Sequence, residues 1–331
     1  MKILLFCQYP EGYNDDFRRK IAELALGAET YYYDEMWTEE RYHQALAEAE
    51  IIVGHFNPAD LRYCRNLKLI QLDIAGADAY IRHPDLPADT VICNASGAYG
   101  TVVAEHAVAL AFALCRDIHI YAANRLEHKW DMVVPDKPIE DSTLLVIGAG
   151  DIGCKVAGIM RRSVRRIIGA RRVIRETPED FDEMITLDRL NEYIPQADII
   201  ICALPSTPDT VGLMNSERLG LMKEDSVIVN VGRGSLIPMD DLYEALSRGS
   251  IRGAGIDVFE QEPLPPGHPL WNCSNIIITP HSAGNAMTQT SPTNMRIYDI
   301  IYKNISNYIN GRPLSRVVDP ATGYRRTMEG D

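Results

Sequence analysis

The sequence predicts an α/β protein made of two doubly wound domains, each built on a parallel sheet. Two observations lead to this prediction. Short runs rich in Val, Ile and Leu alternate with helix-patterned segments in both halves of the chain, as in sheets whose strands are joined by crossover helices. The length of 331 residues also exceeds what a single hydrophobic core usually supports.

The first series of strands occupies the first hundred residues. Its five apolar runs are KILLF (2–6), TYYYD (30–34), IIVGH (51–55), LKLIQLD (67–73) and VICN (91–94), separated by helical patterns. The stretch from Thr101 to Leu126 then has apolar residues at helical spacing and no Pro or Gly, which predicts one long helix leading out of the first domain.

A second series follows, and its first strand runs into a glycine-rich turn, GAGDIG (148–153). The six apolar runs of this series are TLLVIG (143–148), RRIIGA (165–170), DIIICAL (198–204), SVIVNVG (226–232), RGAGIDV (252–258) and NIIITP (275–280). Gly148 permits a tight turn, Gly150 lets backbone approach a pyrophosphate, and Gly153 lets the next helix pack on the strand. The six strands therefore predict a complete, Rossmann-like dinucleotide-binding sheet.

The chain ends in a further helix. Ser291-Pro292 is a helix start signal and Asn310-Gly311 a stop signal, which predicts a helix from about Pro292 to Asn310. Because the second sheet is complete before this helix, we expect it to return to the first domain. The expected domains are residues 1–98 plus 288–331, a discontinuous flavodoxin-like substrate and catalytic domain, and residues 99–287, the dinucleotide-binding domain.

Composition and charge exclude several classes of partner. A formal net charge of −13 opposes binding to nucleic acid or to an anionic membrane, because phosphate contacts need a basic surface. The longest apolar stretch, Val102 to Cys115, is shorter than the roughly 20 residues of a spanning helix. The cysteines form no C-x-x-C pair and the histidines no metal-ligand spacing. We therefore expect a cytoplasmic protein with no metal site.

The second strand of the dinucleotide sheet ends in arginines rather than in an acidic residue. An NAD site usually places Asp or Glu there to accept from the ribose 2′-hydroxyl, whereas this chain reads Gly169-Ala170-Arg171-Arg172, with Arg175 nearby. An arginine suits a 2′-phosphate, so NADP(H) is the preferred cofactor and NAD(H) a possible one. The alternative is that these arginines belong to a solvated basic edge.

Polar and charged residues stand directly after four strands of this sheet. These positions are Leu204-Pro205, Gly232-Arg233, Asp257 and His281-Ser282-Ala283-Gly284. Because ligands bind at the carboxyl ends of the strands of open parallel sheets, these residues share an edge with the glycine-rich turn, and we expect an active-site cleft between the two domains. Reducing a 2-oxoacid there needs a proton donor, a cation and a hydride donor. His281 is the candidate acid, Glu262 its carboxylate partner and Arg233 the cation.

In this combination the chain resembles the D-isomer-specific 2-hydroxyacid dehydrogenase family, which includes glyoxylate/hydroxypyruvate reductases, D-lactate dehydrogenases and 3-phosphoglycerate dehydrogenase. Seven motifs in order between about residues 70 and 324 carry the resemblance. They are Ala75-Gly76-Ala77-Asp78, Val103-Ala104-Glu105-His106, GAGDIG, Leu204-Pro205 with Thr210, Asn230-Val231-Gly232-Arg233-Gly234, Asp257 to Pro265, and Thr279-Pro280-His281. The end of the chain, Val317-Val318-Asp319 and Gly323-Tyr324, is similar to the glyoxylate/hydroxypyruvate reductase branch.

The resemblance implies a role for each matching position. It implies that Arg233 and the backbone N–H groups of Ala75, Gly76 and Ala77 hold the substrate carboxylate, with His281 as acid/base. It implies cofactor contacts from Thr101, Asp151, Ile152, Arg171, Leu204, Thr210, Val231 and Asp257. With these, the expected cofactor-binding residues also include Gly148, Gly150, Gly153, Arg172, Pro205, Gly232, Arg233, His281, Ala283 and Gly284. It further implies a homodimer through the nucleotide domain.

We therefore expect NAD(P)H-dependent reduction of a small 2-oxoacid, such as glyoxylate or hydroxypyruvate, to a D-2-hydroxyacid, with hydride from the nicotinamide and a proton from His281. Two alternatives remain open. A co-repressor-like NAD(P) sensor on the same fold would turn over little substrate, and a formate dehydrogenase relative would carry Gln in place of Glu262. Five residues could face the substrate's side chain, but their identities do not favour one oxoacid over another. They are Gln8, Tyr9, Phe56, Asn57 and Ile74.

Overall fold

The structure is a computed structural model that describes residues 1–7, 13–33, 36–133, 138–174, 176–284, 288, 290–324 and 326. The chain divides into two compact units, Met1–Tyr99 with Ala286–Asp331, and Gly100–Asn285. Each unit contains one parallel sheet, with five strands in the first and seven in the second. The predicted α/β fold class with two parallel sheets is confirmed.

The first unit has the strand order β2-β1-β3-β4-β5, with all neighbours parallel. Its strands are β1 (Lys2–Leu5), β2 (Glu29–Tyr32), β3 (Ile51–Val53), β4 (Leu69–Gln71) and β5 (Val91–Cys93). Its helices are α1 (Asp15–Leu24), α2 (Glu39–Glu48), α3 (Asp78–Ile81) and the last helix of the chain, α10 (Pro292–Ile309), with a 3-10 turn at Pro58–Tyr63. β3 and β4 are buried throughout and β1 is buried from Ile3 to Leu5, because both faces of this sheet are covered.

Helix α10 packs on the core of the first sheet. Ser291 caps it by accepting a hydrogen bond from the N–H of Asn294 at 3.2 Å, as the Ser-Pro start signal predicts. Ile297, Ile301 and Ile305 recur every four residues and are fully or almost fully buried, so this apolar stripe attaches the carboxyl-terminal segment to the first unit.

The second unit has the strand order β12-β11-β10-β9-β6-β7-β8. Its strands are β6 (Thr143–Ile147), β7 (Arg166–Arg171), β8 (Glu183–Thr186), β9 (Ile199–Cys202), β10 (Val227–Asn230), β11 (Gly253–Ile256) and β12 (Ile276–Ile278). Its helices are α4 (Gly100–Cys115), α5 (Ile118–Leu126), α6 (Asp151–Met160), α7 (Leu190–Tyr193), α8 (Ser216–Gly220) and α9 (Met239–Ser247), with 3-10 turns at 139–141, 187–189, 194–196, 234–236 and 269–272. The strand order reverses between β6 and β9, so the topological switch point lies at the carboxyl ends of these two strands.

Two sequence predictions for this unit were wrong. The sheet has seven strands rather than six, because β8 buries only Ile185 and so has no apolar run. The helix predicted from Thr101 to Leu126 is two helices, since Asp117 adopts a left-handed backbone with φ of 55°. The Asp117 carboxylate lies 2.7 Å from the guanidinium of Arg252, a residue distant in sequence that apolar spacing cannot reveal. No helix in the described part of the chain is long and apolar enough to cross a membrane.

Candidate active site

The glycine-rich turn lies at the switch point, between β6 and α6. Gly148 has φ of +110°, and a Cβ there would stand 2.8 Å from the backbone of Ala203, the first residue after the neighbouring strand β9. A Cβ at Gly153 would stand 2.3 Å from the carbonyl oxygen of Gly148. A Cβ at Gly150 would instead meet no atom within 4 Å. The turn therefore leaves open space directly before the N-terminus of α6, and the residues present fit the pyrophosphate of a dinucleotide.

The arginines around β7 separate into two groups. Arg166 begins the strand, at its amino end, and forms an ion pair with Glu183 of the neighbouring strand β8. Arg171 ends the strand, about 17 Å further along, at the edge where the glycine-rich turn lies. Arg172 follows it and is exposed, while Arg175 lies outside the described residues. Among the arginines that the structure describes here, Arg171 and Arg172 therefore stand where a 2′-phosphate would be expected.

The loop after β9 is closed by Thr210. Its hydroxyl donates to the carbonyl oxygen of Pro205 at 2.7 Å and accepts from the N–H of Thr207 at 2.8 Å, and the residue is 1% exposed. Leu204 is buried at the start of the loop. The Thr210 hydroxyl therefore fixes the shape of the loop between Leu204 and Thr210.

Arg233 is the third residue beyond β10, and Asn230 braces its backbone. The Asn230 side chain donates to the carbonyl oxygen of Arg233 at 3.0 Å and accepts from the N–H of Gly232 at 3.1 Å. The Arg233 guanidinium donates to the carbonyl oxygen of Gly232 at 2.8 Å and is half-buried. The Asn230 side chain thus fixes the backbone from which the Arg233 side chain extends beyond the strand.

His281 and Glu262 form a hydrogen-bonded pair. Nδ1 of His281 lies 2.7 Å from Oε2 of Glu262, and Oε1 of Glu262 accepts from the N–H of Phe259 at 2.8 Å. The imidazole is 51% exposed and the carboxylate 35%. Since Nδ1 faces the carboxylate, Nε2 is left for another partner, and no described residue bonds to it. The pair is oriented for proton transfer at Nε2.

Asp257 anchors the loop that bears His281. Its carboxylate is 1% exposed and accepts from the hydroxyl of Thr279 at 2.5 Å, from the N–H of Ser282 at 2.9 Å and from the N–H of Ala283 at 3.1 Å. Its carbonyl oxygen accepts from the N–H of His281 at 2.8 Å. The position of His281 therefore depends on a buried carboxylate.

Sequence reasoning missed this bracing. It assigned Asp257 to the cofactor, gave Asn230 no role and quoted His106 only as part of a motif. His106 of α4 lies 3.0 Å from the Thr279 hydroxyl, so the helix also supports the loop. A buried Asp directly after a strand and a Thr two residues before His281 were the available signals.

The residues predicted to hold the substrate carboxylate follow β4 in the first unit. The N–H groups of Ala75, Gly76 and Ala77 meet no acceptor among the described residues, while Asn94 fixes this segment by donating to the Ala75 carbonyl oxygen at 2.7 Å. Of the residues suggested for the substrate pocket, Phe56 is buried in the core, Asn57 is exposed and Ile74 is half-buried. Gln8 and Tyr9 lie outside the described residues.

One edge of the second sheet thus brings together the glycine-rich turn, the loop from Leu204, Arg233, Asp257 and the His281–Glu262 pair. Within the ranges that the structure describes, no three His, Cys, Asp or Glu side chains are grouped to hold a metal ion.

Over residues 108–283 the chain matches the family D-isomer specific 2-hydroxyacid dehydrogenase, NAD binding domain. The chain belongs to this family. The predicted resemblance is therefore confirmed, and the protein is an NAD(P)-dependent oxidoreductase of the 2-hydroxyacid dehydrogenase type.

Three relatives illustrate the match. An uncharacterised protein from Corynebacterium melassecola is 35% identical over 268 residues, which are 78% of this chain and 84% of the relative. A D-isomer specific 2-hydroxyacid dehydrogenase from Xanthobacter autotrophicus Py2, solved with NADPH and MES, is 27% identical with a TM-score of 0.80 over 97% of this chain and 99% of its own. The NADPH-dependent glyoxylate/hydroxypyruvate reductase of Sinorhizobium meliloti has a TM-score of 0.81 at 24% identity, over 98% of this chain and 99% of its own, which is a likeness of fold.

Proposed function

We propose that this enzyme reduces a small 2-oxoacid, with glyoxylate and hydroxypyruvate as first candidates, to the D-2-hydroxyacid. The observation behind the proposal is the His281–Glu262 pair on the sheet edge that also bears the glycine-rich turn. The reduced nicotinamide, when bound, supplies the hydride to the oxo carbon. The protein's own residues then have to bind the substrate and supply a proton.

His281 is the proposed proton donor. With Nδ1–H donated to Glu262, the proton on Nε2 of the imidazolium is the one available to the developing alkoxide oxygen. Glu262 is held by the N–H of Phe259 and keeps the ring in one orientation throughout the transfer. Asp257 holds the loop and so acts as a positioning residue for His281.

Arg233 is the proposed cation for the substrate. A guanidinium offers a planar fork of donors, which matches a carboxylate and an adjacent oxo group better than a lysine ammonium does. Its bracing by Asn230 supports this role. The contribution of the Ala75, Gly76 and Ala77 amides stays a prediction, supported by their lack of acceptors among the described residues.

The test is absorbance at 340 nm with purified protein, a panel of small 2-oxoacids, and NADPH and NADH in parallel. His281→Ala should lower kcat by about 10²- to 10⁴-fold, the usual worth of a general acid, while the Kd for NADPH stays unchanged. His83→Ala, in the first unit, is the control. Arg233→Ala should raise KM and lower kcat together, and Arg233→Lys should recover only part of the loss.

Two results would contradict the proposal. Weaker NADPH binding with an unchanged kcat in His281→Ala would remove its catalytic role. No turnover with any oxoacid, despite measurable NADPH binding by the wild type, would instead favour the cofactor-sensing regulator.

NADP(H) is the proposed preferred cofactor, with NAD(H) also accepted. The support is Arg171 at the end of β7 with no acidic residue beside it, together with the NADPH bound to the Xanthobacter autotrophicus relative. A hydrogen bond to a charged group contributes about 1.5–3 kcal/mol, so Arg171→Ala should lower the NADPH-to-NADH ratio of kcat/KM about 10- to 100-fold. Arg166→Ala, which breaks the pair with Glu183, should leave that ratio unchanged. Equal use of both cofactors by the wild type would contradict the preference.

A homodimer through the nucleotide unit is also proposed. Leu126, Trp130 and Met132, in and after α5, are 70%, 101% and 84% exposed, an unusual cluster of large apolar side chains. Trp130→Glu should lower the mass measured by light scattering to that of one chain, whereas Leu26→Glu, an exposed leucine of the first unit, should not. A wild type that is already monomeric at micromolar concentration would refute this.

The seven free thiols support a reducing, cytoplasmic location.

A further inference from the structure

A second histidine–carboxylate pair lies at the carboxyl edge of the first unit's sheet. His55 follows β3 and Asp73 follows β4, the neighbouring strand. Nδ1 of His55 is 3.1 Å from Oδ1 of Asp73, and the two side chains are 39% and 6% exposed. A buried carboxylate therefore holds a half-exposed imidazole. No described residue bonds to Nε2 of this ring.

The pair stands where an open parallel sheet binds ligands. In the order β2-β1-β3-β4-β5 the chain reverses between β1 and β3, and ligands of such sheets bind outside the strand ends at that reversal. His55 is the second residue beyond β3. Its position is that of a ligand contact rather than of a core residue.

The backbone on both sides of His55 is fixed. Gly54 has φ of +90°, and a Cβ there would stand 2.2 Å from the carbonyl oxygen of Phe6, so this position requires glycine. Phe56 is held by Tyr80, whose hydroxyl accepts from the Phe56 N–H at 2.9 Å and donates to the Phe56 carbonyl oxygen. The imidazole is thus presented from a rigid segment, as a selective contact requires.

The pair adjoins a row of donors without acceptors. Asp73 precedes Ala75 by two residues, a span of at most about 7 Å. The N–H groups of Ala75, Gly76 and Ala77 meet no acceptor among the described residues. The segment that would hold an oxyanion on these amides therefore begins two residues after the carboxylate that holds the His55 ring.

We propose that His55 is a specificity-determining residue that donates a hydrogen bond from Nε2 to an oxygen on the third carbon of the 2-oxoacid, and that Asp73 is the positioning residue that holds it. The inference deepens the proposed function and rests on it. It commits the enzyme to substrates with a hydroxyl or carboxylate oxygen in the side chain in preference to purely alkyl ones.

The surrounding charges favour the donor form of His55. The hydrogen bond that His55 donates to the Asp73 carboxylate raises the pKa of His55, so the ring stays doubly protonated to higher pH than a free imidazole. Asp73 is the charged group that acts on the ring. The Asp73 charge also acts on the phenols of Tyr13, Tyr80 and Tyr298, and burial raises the pKa of each phenol, so they remain neutral. Once the ring loses its proton, with Nδ1–H on Asp73, Nε2 can only accept.

The experiment compares kcat/KM for hydroxypyruvate, pyruvate and glyoxylate in the wild type and in His55→Ala. Hydroxypyruvate and pyruvate differ by one hydroxyl on the third carbon, and glyoxylate has no third carbon. His55→Ala should lower the hydroxypyruvate-to-pyruvate ratio about 10- to 100-fold and leave glyoxylate reduction within about 3-fold. Retained glyoxylate reduction also shows that the variant is folded, and His55→Gln, which keeps a donor, should restore part of the ratio.

Asp73→Asn distinguishes the proposed role from a structural one, because it should shift the pH at which the hydroxypyruvate-to-pyruvate ratio falls. In the wild type the hydroxypyruvate-to-pyruvate ratio should fall as pH rises through the pKa of His55. Removing the charge that raises this pKa should move the fall to lower pH. An unchanged ratio in His55→Ala, with glyoxylate still reduced, would overturn the inference and leave the proposed function intact. Absence of turnover by the wild type with all three acids would overturn both.

Discussion

Replacing Asp257 by asparagine tests whether a buried carboxylate fixes the loop that bears the acid–base histidine. Oδ1 accepts from the Thr279 hydroxyl and the Ser282 N–H, and Oδ2 accepts from the Ala283 N–H at 3.1 Å. The best placement of an amide keeps its oxygen toward Thr279 and Ser282. Its NH₂ group then opposes the N–H of Ala283, so one hydrogen bond is lost and two lose their charge assistance.

The magnitude follows from these three bonds. A hydrogen bond to a charged group contributes about 1.5–3 kcal/mol and a neutral one about 0.5–1.5 kcal/mol. One lost bond and two weakened bonds come to about 3.5–6 kcal/mol, and the easier burial of a neutral amide reduces this to about 2–4 kcal/mol. At 1.36 kcal/mol per factor of ten, the opening constant of the loop should rise about 30- to 1000-fold.

Hydrogen exchange followed by mass spectrometry on a peptide covering residues 279–284 measures this opening directly. The kcat for oxoacid reduction should fall about 10- to 100-fold in the same variant, because the loop no longer holds His281 in place. Asp209→Asn, at an exposed position of the same unit, is the matched control. Unchanged exchange at Ser282 and Ala283 in Asp257→Asn would refute the proposed anchoring.

Three further predictions concern separate parts of the chain. Glu262→Gln should lower kcat about 10- to 100-fold with the Kd for NADPH unchanged in a fluorescence titration, since only the carboxylate charge that faces the imidazole is lost, and an unaltered kcat would argue against the pair. Gly153→Ala should cost about 1–3 kcal/mol in urea unfolding and weaken NADPH binding, because its Cβ would stand 2.3 Å from backbone oxygen; Gly220→Ala, with open space around its Cβ, should do neither, and equal behaviour of the two would contradict the packing argument. Burial raises the pKa of the Cys64 and Cys93 thiols to about 12, so about one thiol in ten thousand is ionised at pH 8, and labelling of either by Ellman's reagent before denaturation would contradict their burial.

Local patterns gave most of the fold and the candidate site. Five strands of the first sheet and six of the second were predicted, because each is a short apolar run ended by Gly, Pro or a polar residue. The glycine-rich turn was predicted because its three glycines occupy fixed positions between a strand and a helix. His281 and Glu262 were paired on chemical grounds, and their side chains lie 2.7 Å apart. Their catalytic role stays a prediction.

Contacts between distant residues escaped prediction. The break at Asp117 depends on Arg252, which follows it by 135 residues. Strand β8 has one buried side chain, so it forms only because β7 lies beside it. The His55–Asp73 pair joins the ends of two predicted strands, but neither His55 nor Asp73 carries a sequence signal of its own.

The sequence by itself determined the fold class, the dinucleotide turn and the identity of the candidate acid, carboxylate and cation, because periodicity and motif spacing are local properties of the chain. The tertiary structure alone decided how these groups are held. It made Asp257, which stays an expected cofactor contact, an anchor of the His281 loop as well, and it brought His55 onto a buried carboxylate. Hydrogen bonds between strand ends depend on which strands become neighbours, and strand order is fixed only when the sheet assembles.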